Sequence, residues 1–226
     1  TISRIFRSKR SLIGVPLVLK RLAEAYKNKI NKNFESKIQN LNILSIYEII
    51  VSTSISSSRF PQKLRDNHKK SMSPLQVHQF LAICLLFNEE MANSLGLTHD
   101  EDEWSWEEIA RCGLIQYDQN GKFHFNHRTY AEFMVAFFIF NLLKTVKKLS
   151  AVQLDLIIQV LTEWGFQVVR MFLNLILNEV EKVQELKSFN SSHEICKKIK
   201  KGKTGIHFFH HCVNDGLFNI FEFFVL

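Results

Sequence analysis

The chain has 226 residues, a net charge of +7, and 46% hydrophobic residues. That length fits one large or two small domains, and the apolar content is enough for a core, which argues against global disorder. With only 8 Gly and 3 Pro, an all-β fold lacks its turns, and the 20 Phe predict a core filled with aromatics.

The positive excess, with a pI near 9.2, sits mainly at Arg4–Arg10 and Lys197–Lys203. It permits contact with nucleic acid or an anionic surface without requiring it. Cys84, Cys112, Cys196 and Cys212 show no regular spacing, which predicts a reduced, cytoplasmic protein with ordinary buried thiols. No signal peptide is visible. The most apolar stretch, Phe133 to Leu143, is shorter than the ~20 residues that span a bilayer and predicts a buried helix, with no membrane partner. The start at Thr1 and the apolar finish at Phe221–Leu226 predict a fragment of a longer chain.

Residues 12–30 predict a helix entered through Gly14-Val-Pro16, since Pro suits a first helical turn. Residues 41–52 predict a second helix, followed by a Ser-rich connector from Ser52 to Asp66. Ser73-Pro74 opens a third, Leu75 to Phe87, with Gln76 as capping-box partner. After an acidic loop, His99 to Glu103, comes a capping box at Ser105-Trp-Glu-Glu108. It opens a short helix that Gly113 ends. Leu114–Tyr117 and Lys122–Phe125 predict two short strands around the hairpin turn Asp118-Gln-Asn-Gly121. Thr129-Tyr-Ala-Glu132 reads as another capping box, opening a long Phe-rich helix to about Lys147. Helix, helix, hairpin, helix is the pattern of a winged helix. Helices over about 151–164 and 166–187 follow, separated at Trp164-Gly165, and then the basic stretch Lys197–Lys203 as a hinge or exposed face.

The segment Phe123-His-Phe-Asn-His-Arg-Thr-Tyr-Ala-Glu132 carries the chemistry. With Thr129 as N-cap, His127 lies two residues ahead of a helix N-terminus, where free N–H groups and the positive dipole end attract phosphate. Taken alone, it reads more readily as a satisfied loop histidine. Phe125-x-His127-Arg-Thr-Tyr-Ala-Glu-Phe133-x-Val135-Ala136, however, resembles the winged-helix signature of NACHT-type NTPases, with Tyr130 in place of the commoner Phe. The resemblance implies that His127 contacts the β-phosphate of bound ADP and locks a closed, inactive state.

Gly14-Val-Pro-Leu-Val-Leu-Lys-Arg-Leu-Ala-Glu24 is similar to the segment that opens the helical domain after a NACHT core. Gly14 permits close approach, and Pro16 offers an apolar ring with no N–H to satisfy. The resemblance implies Pro16 as an adenine contact. Leu41–Glu48, His78–Phe87 and Val169–Leu173 are similar to segments of arthropod NACHT–ankyrin proteins, so the likeness covers roughly residues 10–180.

A hydrolytic NTPase needs a glycine-rich phosphate loop after a strand. Gly202-Lys203-Thr204 mimics only its end, because the first Gly of the motif falls on Lys197. No catalytic residue is therefore assigned, and hydrolysis belongs to a domain upstream. Gly205 to Phe224 resembles an ankyrin unit, with Gly205, His210 and Gly216 in register and Phe209, Cys212, Val213, Ile220 and Phe221 at the apolar positions. His210 takes a structural hydrogen-bonding role there. His210-His-Cys212 makes a poor metal site, since neighbours on a helix diverge, and the acidic run Asp100–Glu103 lacks EF-hand spacing.

The expected fold is mainly α. Residues 1–60 hold the end of a nucleotide-binding module and a small helical domain, and 61–148 a winged helix with a short β-hairpin. Residues 149–200 form a helical extension, and 201–226 a truncated first ankyrin-like repeat. The resemblance implies the regulatory half of a signalling NTPase in innate immunity or stress responses. It would sense ADP or ATP through Gly14, Pro16 and His127, only together with the nucleotide-binding domain of the same chain. The implied partners are protein ligands through the ankyrin region and a homo-oligomer on activation. Two alternatives stand: a purely scaffolding helical module, and a winged-helix nucleic-acid binder. Glu107 and Glu108 on the short helix disfavour the second.

Overall fold

The computed structural model describes residues 43–57, 72–97, 105–118, 122–146, 148–179, 195, 197, 199 and 204–225. They are mostly helical, with one small antiparallel two-stranded sheet. The chain divides into two compact units, which are described separately. One holds the segment up to Lys69 together with Trp106–His124; the other holds Lys70–Ser105 and Phe125–Leu226.

In the first unit, α1 spans Ile43–Ser57. The helix takes in residues 52–57, the first part of the expected Ser-rich connector, because Tyr47, Ile50, Val51 and Ser54 are all buried. Their spacing is one helical stripe, and it carries the helix through the serines. Helix α2 spans Trp106–Arg111 and starts directly after Ser105. Gly113 ends it with φ 70°, a conformation that only glycine takes at little cost. Strands β1, Ile115–Tyr117, and β2, Phe123–Phe125, pair as the predicted hairpin. Asp118 closes it: its N–H donates to the Lys122 carbonyl at 2.8 Å, and its carboxylate accepts from the Lys122 N–H at 2.8 Å. Trp106 stacks against Tyr117 and Phe123, with ring centroids 5.9 and 5.7 Å away.

The second unit begins with α3, Pro74–Leu86, capped as the sequence predicts. Ser73 Oγ accepts from the Gln76 N–H at 3.3 Å, and the Gln76 side chain accepts from the Ser73 N–H at 2.8 Å. A short helix not foreseen in the sequence, α4, Glu89–Ser94, follows behind the cap residue Asn88. Its one buried residue is Ala92, so it carries no hydrophobic period. The long helix α5, Arg128–Thr145, is the predicted Phe-rich one and is buried almost all round. Helices α3 and α7, Gln167–Glu179, pack on it, and Phe133 meets Phe172 edge to face at 5.4 Å. The apolar run Phe133–Leu143 thus finds its partners inside the protein. Among the described residues no single helix is long and apolar enough to cross a membrane. The pair α6, Ala151–Thr162, and α7 passes by composition but is bent by 88°.

Ser150 and Gln153 form a second full capping box at α6. A turn of 3-10 helix, Trp164–Phe166, makes the corner to α7, and Phe87 stacks on Phe166 at 4.7 Å. In the basic stretch, Ile195 and Ile199 are buried and Lys197 is exposed, all in helical conformation. A helical hairpin follows: α8, Thr204–Asn214, and α9, Phe218–Val225, joined through Gly216 at φ 66°. Helix α8 packs on α6, and α9 packs on α7. Asn174 of α7 caps α9, its side-chain oxygen accepting from the N–H groups of Asn219 and Ile220 at 3.0 and 3.1 Å.

The hairpin corrects the repeat register read from the sequence. Phe208, His211 and Cys212 form the buried face of α8, whereas Phe209, His210 and Val213 are exposed. Cys212 and Ile220 are buried as read, while Phe208 and His211 are buried in place of Phe209 and Val213, because the contact with α6 and α7 is built around a polar cluster on His211.

Candidate functional site

Gly14 and Pro16, the expected adenine side of the nucleotide site, lie outside the described residues, as do Lys201–Lys203. Thr204 is the first residue of α8.

His127 is described, and its position differs from expectation. It is itself the N-cap of α5, in extended conformation at φ −149°, and Thr129 lies within the first turn. The imidazole takes the cap because its Nδ1 reaches the Thr129 N–H at 3.3 Å and the Thr129 hydroxyl at 2.6 Å. The expected Thr129–Glu132 capping box is therefore replaced by a histidine cap. The acid of that pattern has another partner: Glu132 accepts from Arg128 Nε at 3.1 Å across one helical turn.

This cap fixes the chemistry of the ring. A backbone N–H can only donate, so Nδ1 accepts and the neutral ring carries its proton on Nε2. Among the described residues Nε2 has no hydrogen-bond partner. The helix start thus offers a directed N–H donor at the positive end of its dipole. Arg128, with its side chain 64% exposed, stands beside it. Glu132 is buried beneath, and burial pushes its carboxyl above the ordinary range, opposed by the charge and hydrogen bond of Arg128 and by His127. The charge balance of this corner favours an anion over a second cation.

A second constellation went unread in the sequence. Arg170 of α7 is wholly buried. Its Nη1 donates to the carbonyls of Val160 and Glu163 at 2.9 and 2.6 Å, and its Nη2 to Asp215 at 3.3 Å and to His211 Nδ1 at 3.2 Å. Gln167 holds the other Asp215 oxygen at 2.9 Å. His211 Nε2 donates to the Thr162 carbonyl at 3.2 Å. Burial first, then the Arg170 charge, lowers the His211 pKa, with Thr162 and Asp215 opposing. The signal was Arg170 itself, a lone cation between Val169 and Phe172 in an otherwise apolar helix face. The larger polar role falls to its neighbour: His210 is exposed, hydrogen-bonds Asn214 one turn on and lies against Trp164.

Cys84 and Cys212 are free thiols pushed up to about 12, chiefly by burial, which makes both poor nucleophiles. Cys112 is free and buried, and Cys196 lies outside the described residues. Among the described residues no three His, Cys, Asp or Glu side chains gather to hold a metal.

Comparison with protein-family models gave no match, and comparison with curated proteins and solved structures gave no significant similarity.

Proposed function

We propose that this chain is the regulatory part of a NACHT-type signalling NTPase, in which His127 reads the phosphate of a bound ADP. The observation that carries the reading is the cap of α5, which occupies Nδ1 and leaves Nε2–H as a donor at a helix N-terminus. Gly14 and Pro16 supply the adenine side by resemblance. The nucleotide is held jointly with a nucleotide-binding domain of the same chain, and hydrolysis belongs to that domain. Exchange of ADP for ATP shifts the phosphate away from His127 and releases the closed state, a two-state switch biased by differential ligand contacts. A winged-helix arrangement of 61–148, an ankyrin-like end, a cytoplasmic location and assembly on activation belong to the same proposal.

The test is ADP affinity in a chain carrying the nucleotide-binding domain. His127→Ala loses both cap and donor, whereas His127→Asn keeps a good cap and loses the imidazole donor. Loss of about ten-fold in both variants, about 1.4 kcal/mol, supports the reading. Unchanged affinity in His127→Asn overturns it.

One observation favours the scaffold reading instead. Trp164, Phe209, Val213 and Phe218 are large apolar side chains between 56% and 76% exposed, and such groups suit a protein partner. A chain that binds a protein partner yet ignores nucleotide would put this reading first.

A further inference from the structure

The polar cluster of α7 and α8 joins the α6–α7 corner to the α8–α9 hairpin, and its hydrogen bonds have a fixed direction. Arg170 Nη2 has only protons to give, so His211 Nδ1 accepts at 3.2 Å. The Thr162 carbonyl can only accept, so His211 Nε2 carries the ring proton. The neutral ring thus satisfies both neighbours. A second proton on Nδ1 points a donor at a donor and sets a second positive charge beside the guanidinium. Among the described residues Asp215 is the one carboxylate within reach, 3.9 Å from Nδ1, and it is already engaged by Arg170 and Gln167. The ring is buried under the edge of Trp164, with centroids 4.5 Å apart.

We infer that His211 is a proton-sensitive latch: neutral, it docks the α8–α9 hairpin on the α6–α7 corner, and protonated, it releases it. Among the described residues the groups facing the ring are few. Helix α7 brings Arg170, and α8 brings Asp215, Cys212 and His207. From α6 and its end come only main-chain carbonyls, since Asp155 and Glu163 are exposed. The described side chains of α9, Phe218 to Phe221, carry no charge. Of these groups, the Thr162 carbonyl and Asp215 lower the energy of an imidazolium, while burial, Arg170 and His207 raise it.

The sign follows from linkage. The docked state holds His211 below its ordinary value of 6.5, so the released state binds the proton first as pH falls. Docking is complete above about 6.5 and is lost as the pH drops towards the lowered value. The reading is confined to α8, because α9 has its own contacts with α7; His78, buried in α3 and also held below its ordinary value by burial, is a second proton-sensitive group, which a His211 variant leaves in place.

Hydrogen exchange of the 226-residue chain, followed on peptides covering 204–218, tests this. Exchange rates corrected for intrinsic pH dependence give the opening equilibrium. From about pH 7.5 to about 5.5, opening of wild type should rise by more than about two-fold and by up to about ten-fold, the ceiling set by the ordinary histidine value. In His211→Gln, an amide that accepts from Arg170 and donates to Thr162 without titrating, it should stay within about two-fold. A flat wild type, or the same rise in His211→Gln, overturns the latch. Should His211→Gln fail to fold, the wild-type His211 ring titration by NMR decides. A value below those of exposed His207 and His210 supports the latch, and a value equal to theirs overturns it.

Discussion

Asn174 and Asn219 bind each other twice, and the pairing starts a helix. The Asn174 side-chain oxygen accepts from the Asn219 N–H at 3.0 Å, while the Asn219 side chain donates to the Asn174 carbonyl at 3.3 Å. Helix α9 therefore takes its N-terminal cap from α7, a helix 45 residues earlier. The residue before Phe218 is Leu217, and the nearby Asp215 is held by Arg170 and Gln167. Asn174→Ala should cost about 1–2 kcal/mol, because two helix N–H groups lose their acceptor. Asn174→Asp keeps the acceptor and should lose less. Urea midpoints of the two variants against wild type measure the difference, and equal losses would show that the cap contributes little.

Arg170 is the most consequential single substitution. Arg170→Met fits the space but leaves Asp215 and the carbonyls of Val160 and Glu163 without their donor. Breaking a buried pair on one side costs about 3–5 kcal/mol. Arg170→Lys should also lose heavily, since a single ammonium cannot reproduce a planar fork shared by three elements. The double variant Arg170→Met, Asp215→Asn should regain part of the loss. Strict additivity in urea denaturation would show that the two residues are not coupled.

Glu132 should set a pH dependence of its own. Burial raises its pKa above the ordinary 4.5, so the folded state binds the proton more tightly than the unfolded one. The associated stability is complete below about 4.5 and is lost as pH rises through the raised value. Glu132→Gln keeps an acceptor for Arg128 and does not titrate. Its stability relative to wild type should improve between about pH 4 and about pH 7. Parallel curves of the two proteins would contradict the assignment.

Gly216 tests the hairpin turn without touching a neighbour. Its φ is +66°, and a Cβ there would meet nothing within 4 Å. Gly216→Ala should cost about 1 kcal/mol for backbone conformation alone, and Gly216→Asn less, since Asn tolerates this region. Thermal melts of both variants give the order.

What the sequence made legible is what local chemistry dictates. The Ser73–Gln76 cap, the stop at Gly113, the two strands and the Phe-rich helix each depend on residues within a few positions. The start of α5 was misplaced by two residues because Thr129-x-x-Glu132 satisfies the capping pattern. Only coordinates show a histidine ring reaching Thr129 first. The cluster of Arg170, His211 and Asp215 spans more than forty positions, and no local pattern signals it. The repeat register placed Phe209 and Val213 at apolar positions for the same reason: nothing local shows that a buried guanidinium draws His211 inside. At the proposed nucleotide site, His127 was legible by motif, whereas the state of its ring follows only from the geometry of the cap.

Helix α5 is gripped along its length by α3 on one flank and α7 on the other, with side chains interlocked on nearly every face. Its 18 residues make a rod about 27 Å long. Close-packed flanks resist both sliding and rolling, since either motion forces many side chains out of their wells at once. A displacement of the cap at His127 would thus not be absorbed in the first turn of the helix. It would be carried along the helix and, through the contact of Phe133 with Phe172, into α7, with the helix acting as a strut rather than a spring.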